Sequence, residues 1–194
     1  MKQGLTMLQE AAMFSEKQVV ALTGFSRKRL YNLSISKIVQ PQKDPILYTW
    51  KQVIFLRMLY LLREDWSLQM LEKIFKAFPD DKIEEIIEGI DTSTAIALFS
   101  ESSGELQFKI LGPITFDSDL EKYAFNKSLE SFKEGKLLDY EKTHAIVSCI
   151  IGDEPNGSKI SIQKQTVIII PELIRELKKV ADGLNIEYFD LKVG

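Results

Sequence analysis

The densest run of side chains able to do chemistry is Ser26-Arg27-Lys28-Arg29, followed at once by Tyr31 and Asn32. A guanidinium grips guanine O6 and N7 with two parallel hydrogen bonds. An ammonium or a hydroxyl suits phosphate oxygens. An asparagine amide addresses adenine or simply bonds a backbone group. Three cations in succession therefore suit a polyanion whose edges carry hydrogen-bonding information. The alternative is a solvated basic face, and the neighbouring elements decide between the two. Arg27 and Arg29 stand two positions apart, so on a helix they do not share one face. One is expected at a base edge and the other at a phosphate, with Arg27 at the base because it opens the helix.

Nothing comparable exists for catalysis. His144 and Cys149 are the single histidine and the single cysteine. Five positions apart in a strand-like run, they point to opposite faces and do not meet. One cysteine excludes an intrachain disulfide, and a zinc site would need mostly carboxylates. Asp117, Asp119 and Glu121 fit a helix start whose dipole they favour; calcium would need a fuller loop with glycine. GDEPNGS, residues 152–158, has no Gly-x-x-x-x-Gly-Lys pattern and reads as a loop. No enzyme activity, cofactor or metal is expected.

The positioning elements follow from charge and period. The chain has 194 residues, 45% of them hydrophobic, and a net charge of −3. Residues 1–66 carry +5 and residues 67–194 carry −8, so a basic head precedes an acidic body and only the head suits a polyanion. No apolar run reaches the roughly 20 residues that span a bilayer. The start, MKQGLTMLQE, lacks the apolar core of a signal peptide. A soluble cytoplasmic protein without membrane contact is expected.

Residues 2–12 form a short leading helix or an arm. Ser15 and Gln18 match a capping box, with Phe14 at the staple position, and Val19, Val20 and Leu22 give the first helix its apolar face. Gly24 ends that helix, Phe25 occupies the turn, and Ser26 caps a second helix through Asn32. IVQPQKDPIL, residues 38–47, with Pro41 and Pro45 in a turn-rich centre, predicts a short β-hairpin. Thr49 caps a strongly apolar helix, TWKQVIFLRMLYLLRED, whose apolar positions cover more than one face. Trp66 marks a break, Ser67 caps SLQMLEKIFKAF, and Pro79 ends it. DDKIEEIIEGI, residues 80–90, predicts a short linker helix.

From Thr94 the period shortens. TAIALFS and ELQFKIL, joined by ESSG, predict a hairpin. Residues 118–134 predict an amphipathic helix, THAIVSCII a strand, and SKISIQKQTVIII a second strand-rich stretch. Pro171 opens a helix, ELIRELKKVADG, closed by Gly183. NIEYFDLKV alternates and predicts a last strand.

The order of the first elements resembles the MerR family of regulators over roughly residues 13–75. The matching segments are FSEKQVVALTGFSRKRLYNL, Pro41, LYT at 47–49, KQVIFLRMLYLLRED and WSLQMLEKIF, with the Gly24-Phe25-Ser26 and Trp66-Ser67-Leu68 steps at the family's places. The resemblance implies a winged helix-turn-helix that binds double-stranded DNA. Departures are plain. Tyr31-Asn32 stands for the family's Arg-Tyr pair, Ser36-Lys37-Ile38 for its Lys-Gly-Leu, and Ile46 for its wing arginine, which leaves Gln42 and Lys43 for wing contacts. Pro79 interrupts the long antiparallel dimerisation helix that typical members continue into. Small regulators with similar heads occur beside mobile elements, including CRISPR-associated transposons.

The expected fold class is α+β: an N-terminal winged helix-turn-helix domain over residues 1–79, a linker helix over 80–91, and a smaller α+β domain over 92–194 for dimerisation or effector binding. The expected partners are double-stranded DNA and a second copy of the chain, met through the C-terminal domain. The expected function is sequence-specific transcription regulation by a homodimeric repressor. The expected DNA-contacting residues are Ser15, Ser26, Arg27, Lys28, Arg29, Tyr31, Asn32, Lys37, Gln42, Lys43 and Tyr48. For Tyr48 the alternative is packing on Trp50 and the central helix. The competing function is a protein-binding adaptor that uses the acidic half, for which the Arg27–Arg29 cluster would be unnecessary.

Overall fold

A computed structural model describes residues 11–101, 104–113 and 162–193, together with positions 118, 119, 123, 125 and 127. The fold is α+β. The chain divides into two compact units, residues 1–91 with 171–194, and residues 92–170.

The first unit starts with a two-residue strand β1 (Phe14–Ser15), then helices α1 (Glu16–Thr23) and α2 (Arg27–Ile35). Strand β2 (Leu47–Tyr48) pairs antiparallel with β1, Phe14 opposite Tyr48. Helices α3 (Trp50–Asp65), α4 (Leu68–Lys76) and α5 (Asp80–Gly89) follow. Each of the first four helices starts where a side chain replaces the missing intrahelical acceptor. Ser15 and Gln18 form a reciprocal capping box on α1, and Thr49 and Gln52 form a second on α3. Ser26 accepts from the Arg29 amide and Ser67 from the Met70 amide.

Helix α3 is the centre of the unit. Trp50, Val53, Ile54, Phe55, Leu56, Met58, Leu59 and Leu62 are all buried, so it is covered on more than one side. Truncating one such side chain typically costs about 2–5 kcal/mol. Phe55 meets Phe75 of α4 with ring centres 5.5 Å apart. Helix α5 is more than a linker. It buries Ile86 and Ile87, and Ile90 follows in a short 3₁₀ turn (Ile90–Thr92). Lys51 of α3 donates to the Glu88 carbonyl at 2.6 Å and pairs with Asp91 at 3.8 Å.

The second unit holds a three-stranded antiparallel sheet in the order β4 (Leu106–Leu111), β3 (Ala95–Glu101), β5 (Ile162–Ile169). Ala95 lies opposite both Leu111 and Ile169. Ala95–Phe99 is buried at every position, as expected of a continuous apolar run in a central strand. The β3–β4 hairpin turns through Gly104, whose φ of 82° suits glycine.

Two expectations are corrected at the C-terminus. Helix α6 (Ile170–Gly183) forms as the sequence predicts, but residues 171–194 belong with the first unit rather than with a domain over 92–194. NIEYFDLKV is not a strand. Asn185 and Tyr188 have φ of 49° and 56°, which break extended backbone, and Phe189–Val193 forms a helix, α7. Its packing explains both changes. The Phe189 ring lies 6.1 Å from Phe14 and 5.7 Å from Trp50. Lys192 is buried, sits 5.5 Å over the Phe14 ring, and donates to the carbonyls of Ala11 (2.7 Å) and Met13. Burial holds its ammonium below the ordinary lysine value, with the Glu187 carboxylate partly opposing. The alternation in the sequence reported a tail folded over the β1 segment, not a half-buried strand.

The expected helix over 118–134 lies largely outside the described residues; positions 119, 123, 125 and 127 within it are helical. The leading segment through residue 10, the expected strand THAIVSCII with His144 and Cys149, and the expected loop GDEPNGS also lie outside them.

Candidate nucleic-acid interface

Helices α1 and α2 are joined by three residues, and the joint is built to one geometry. Thr23 donates from its hydroxyl to the Val19 carbonyl at 2.7 Å and accepts from the Phe25 amide at 3.3 Å. Gly24 takes φ 84° and returns its amide to the Val20 carbonyl. Phe25 is buried and meets Tyr60 of α3 edge-on at 5.4 Å. The guanidiniums of Arg57 and Arg63 lie 5.4 and 5.0 Å from the Tyr60 ring centre. Arg57 also donates to the Thr23 carbonyl at 3.4 Å. The turn thus fixes where α2 begins and how it leaves the core.

Helix α2 buries only Leu30 and Leu33. At about 100° per residue, Lys28 and Ile35 point directly away from these two, and Tyr31 and Asn32 lie about 50° to either side. Arg27 and Arg29 occupy opposite flanks. Tyr31 is 64% and Ile35 66% exposed. Arg27 turns toward α1, its Nε 3.4 Å from the Glu16 carboxylate. Arg29 turns the other way, into a groove of about 820 Å³ between α2 and α4 that Asn32, Ile35, Lys37, Ser67, Glu72 and Lys76 also line. Arg27, the residue expected at a base edge, stands exposed at one side of this face and Arg29 at the other, while Lys28, Tyr31, Asn32 and Ile35 point outward. Ile35 was missed. Its place seven residues after Lys28 was the available signal, since that spacing returns to the same face.

The expected hairpin over 38–47 is shorter than its sequence. Ile38 and Val39 are buried, and only Gln42 and Leu47 bridge, exchanging backbone hydrogen bonds of 2.9 and 3.1 Å. Residues 43–46 turn, with Asp44 at φ 57° and a cis peptide before Pro45. Gln42, Lys43 and Ile46 are exposed on this tip, and Lys37, at φ 59°, is exposed just after α2.

Two expected contact residues have structural duties. The Ser15 hydroxyl and amide are both engaged with Gln18 in the first capping box. Tyr48 is only 2% exposed, because β2 pairs with β1 and turns the ring inward, so it is not part of an accessible surface. Burial, with the Glu16 carboxylate adding to it, pushes the Tyr48 phenol up to about 12. A raised folded-state value stabilises the fold below the ordinary tyrosine range, and that stability is lost as pH rises through about 12. Tyr48 is therefore expected to contribute a step of phenolate absorbance only near pH 12, a step that is missing in Tyr48→Phe. If the absorbance removed by that substitution instead lies near pH 10, as for a free phenol, Tyr48 is not buried in solution.

No group of three or more His, Cys, Asp or Glu residues among the described residues is placed to hold a metal ion. No helix among them is long and apolar enough to cross a membrane. Neither a family model, nor a curated protein, nor a solved structure matches the chain.

Proposed function

We propose that the chain is a sequence-specific regulator of transcription that binds double-stranded DNA through α2, with the first unit acting as a winged helix-turn-helix. The observation that carries the reading is the standing of α2: a nine-residue helix held by two buried leucines, with Lys28, Tyr31, Asn32 and Ile35 facing outward and an arginine on each flank. A helix so presented fits the major groove of B-DNA, which is wide enough to admit one. The Gln42–Leu47 tip supplies Gln42 and Lys43 as the wing. The first unit as a whole is balanced, with 17 Lys/Arg and 17 Asp/Glu, so what favours a polyanion is the local run Arg27-Lys28-Arg29 on this helix.

The protein is proposed to be cytoplasmic and to act as a homodimeric repressor. One module of this kind buries about 600–1,000 Å² on DNA. Two heads on paired half-sites raise affinity through effective concentration without any new contact. The competing reading, a protein-binding adaptor, draws on the exposed Tyr31 and Ile35, since exposed apolar side chains also suit a protein surface.

An electrophoretic shift separates the two. The regulator retards duplex DNA carrying its upstream sequence, and Arg27→Ala with Arg29→Ala weakens the shift. The adaptor leaves duplex DNA unshifted at low salt.

A further inference from the structure

Ile35 is an aliphatic side chain left two-thirds exposed on a helix whose leucines are buried, and Tyr31, one turn before it, is equally open. Lys28 and Ile35 are two turns apart on one face, and Tyr31 and Asn32 fill the turn between them. Apolar surface in water gains free energy when it meets another apolar group. The charges around this face say what kind of group that is. Lys28 lies on the face, Arg27, paired with Glu16, and Arg29 flank it, and in the groove that Asn32 and Ile35 also line Glu72 is outnumbered by Arg29, Lys37 and Lys76. A polyanion fits that rim, whereas an apolar pocket on a protein has no use for it. In the major groove of duplex DNA the apolar group is the thymine 5-methyl. The base an asparagine amide matches is adenine, accepting from N6–H and donating to N7.

We infer that this face reads two adjacent A·T pairs, with Asn32 on an adenine edge and Ile35 against the thymine methyl of the neighbouring pair; the inference rests on the DNA-binding reading above. Spacing supports the assignment. Asn32 and Ile35 are separated by about 4.5 Å along the helix axis, against about 3.4 Å between stacked base pairs. The two side chains therefore meet neighbouring pairs rather than the same one. Lys28 lies about 6 Å before Asn32 along the axis and falls outside this two-pair step.

The test uses the full-length protein to select from duplexes with a randomised centre. Affinity for the selected duplex is then measured by fluorescence anisotropy, with each thymine replaced in turn by uracil, which deletes only the 5-methyl. The selected half-site is expected to contain two adjacent A·T pairs. One uracil replacement is expected to weaken binding about fourfold, as one buried methyl group is worth, and to make no difference to Ile35→Ala. Asn32→Ala is expected to lose the preference for A·T over G·C at the neighbouring pair. Both side chains are exposed, so both variants should fold like the parent. A selected site without adjacent A·T pairs, or uracil duplexes bound as tightly as the thymine parent, overturns this inference while leaving DNA binding intact. Failure to enrich any duplex at low salt overturns both.

Discussion

Replacing Gly24 with alanine is expected to destabilise the first unit by about 2–5 kcal/mol, the sum of two separate penalties. The first is conformational. At φ 84° an L side chain is strained, at about 1–2 kcal/mol. The second is steric. A Cβ on Gly24 would lie 2.8 Å from Cε2 and 2.9 Å from Cζ of Tyr60. That ring has little room to yield, because Phe25 meets it edge-on and the guanidiniums of Arg57 and Arg63 rest against it. Overpacking of this kind costs about 1–3 kcal/mol. Gly89 is the internal control. It lies at the end of α5 with nothing within 4 Å of an added Cβ. Gly89→Ala should be neutral or slightly stabilising, since alanine is the better helix former by about 1 kcal/mol. Urea denaturation compares the two midpoints. Equal midpoints would mean that the α1–α2 turn is not held as described.

On DNA, the largest effects are expected from α2, divided by position on the helix. Asn32→Ala, on the outward face, should cost about 1–3 kcal/mol on the cognate site and relax preference at one base pair. Arg27→Ala and Arg29→Ala, on the flanks, should weaken binding to cognate and scrambled duplexes alike, each lowering the salt slope by about one unit. Arg27 should matter less than Arg29, because Glu16 at 3.4 Å already neutralises part of its charge. Exposed substitutions of this kind typically change stability by within about 0.5 kcal/mol, so loss of binding would not be loss of fold. Competition binding on the two duplexes reads the division directly. Arginine variants that lose cognate binding alone, with Asn32→Ala unaffected, would place the base-reading role on a flank.

Local rules carried much of the first unit. Ser15, Ser26, Thr49 and Ser67 each cap the helix expected to follow them, because an N-cap depends on residues within one turn. Gly24 was readable as a helix end, but its second role depends on Tyr60, and no local pattern connects positions that far apart. The β1–β2 pair was not readable, since two-residue strands have no period to detect. That pair buries Tyr48, which sequence reasoning left between a contact and a packing role. The tail failed for a related reason. Phe189, Leu191 and Val193 alternate with Asp190 and Lys192 as in a strand, yet Phe189 and Lys192 are held by Phe14, Trp50 and the carbonyls before β1. Contacts across nearly the whole chain overrode the local pattern.

A helix α2 that binds duplex DNA through its cations, as proposed, makes affinity fall with salt. The full-length chain would be titrated onto a labelled duplex over a series of salt concentrations, and log affinity plotted against log salt. Each neutralised phosphate releases condensed counterions, so the plot should fall with a slope of several units. Arg29→Ala should reduce that slope by about one. A flat plot, or no binding even at low salt, would contradict the account.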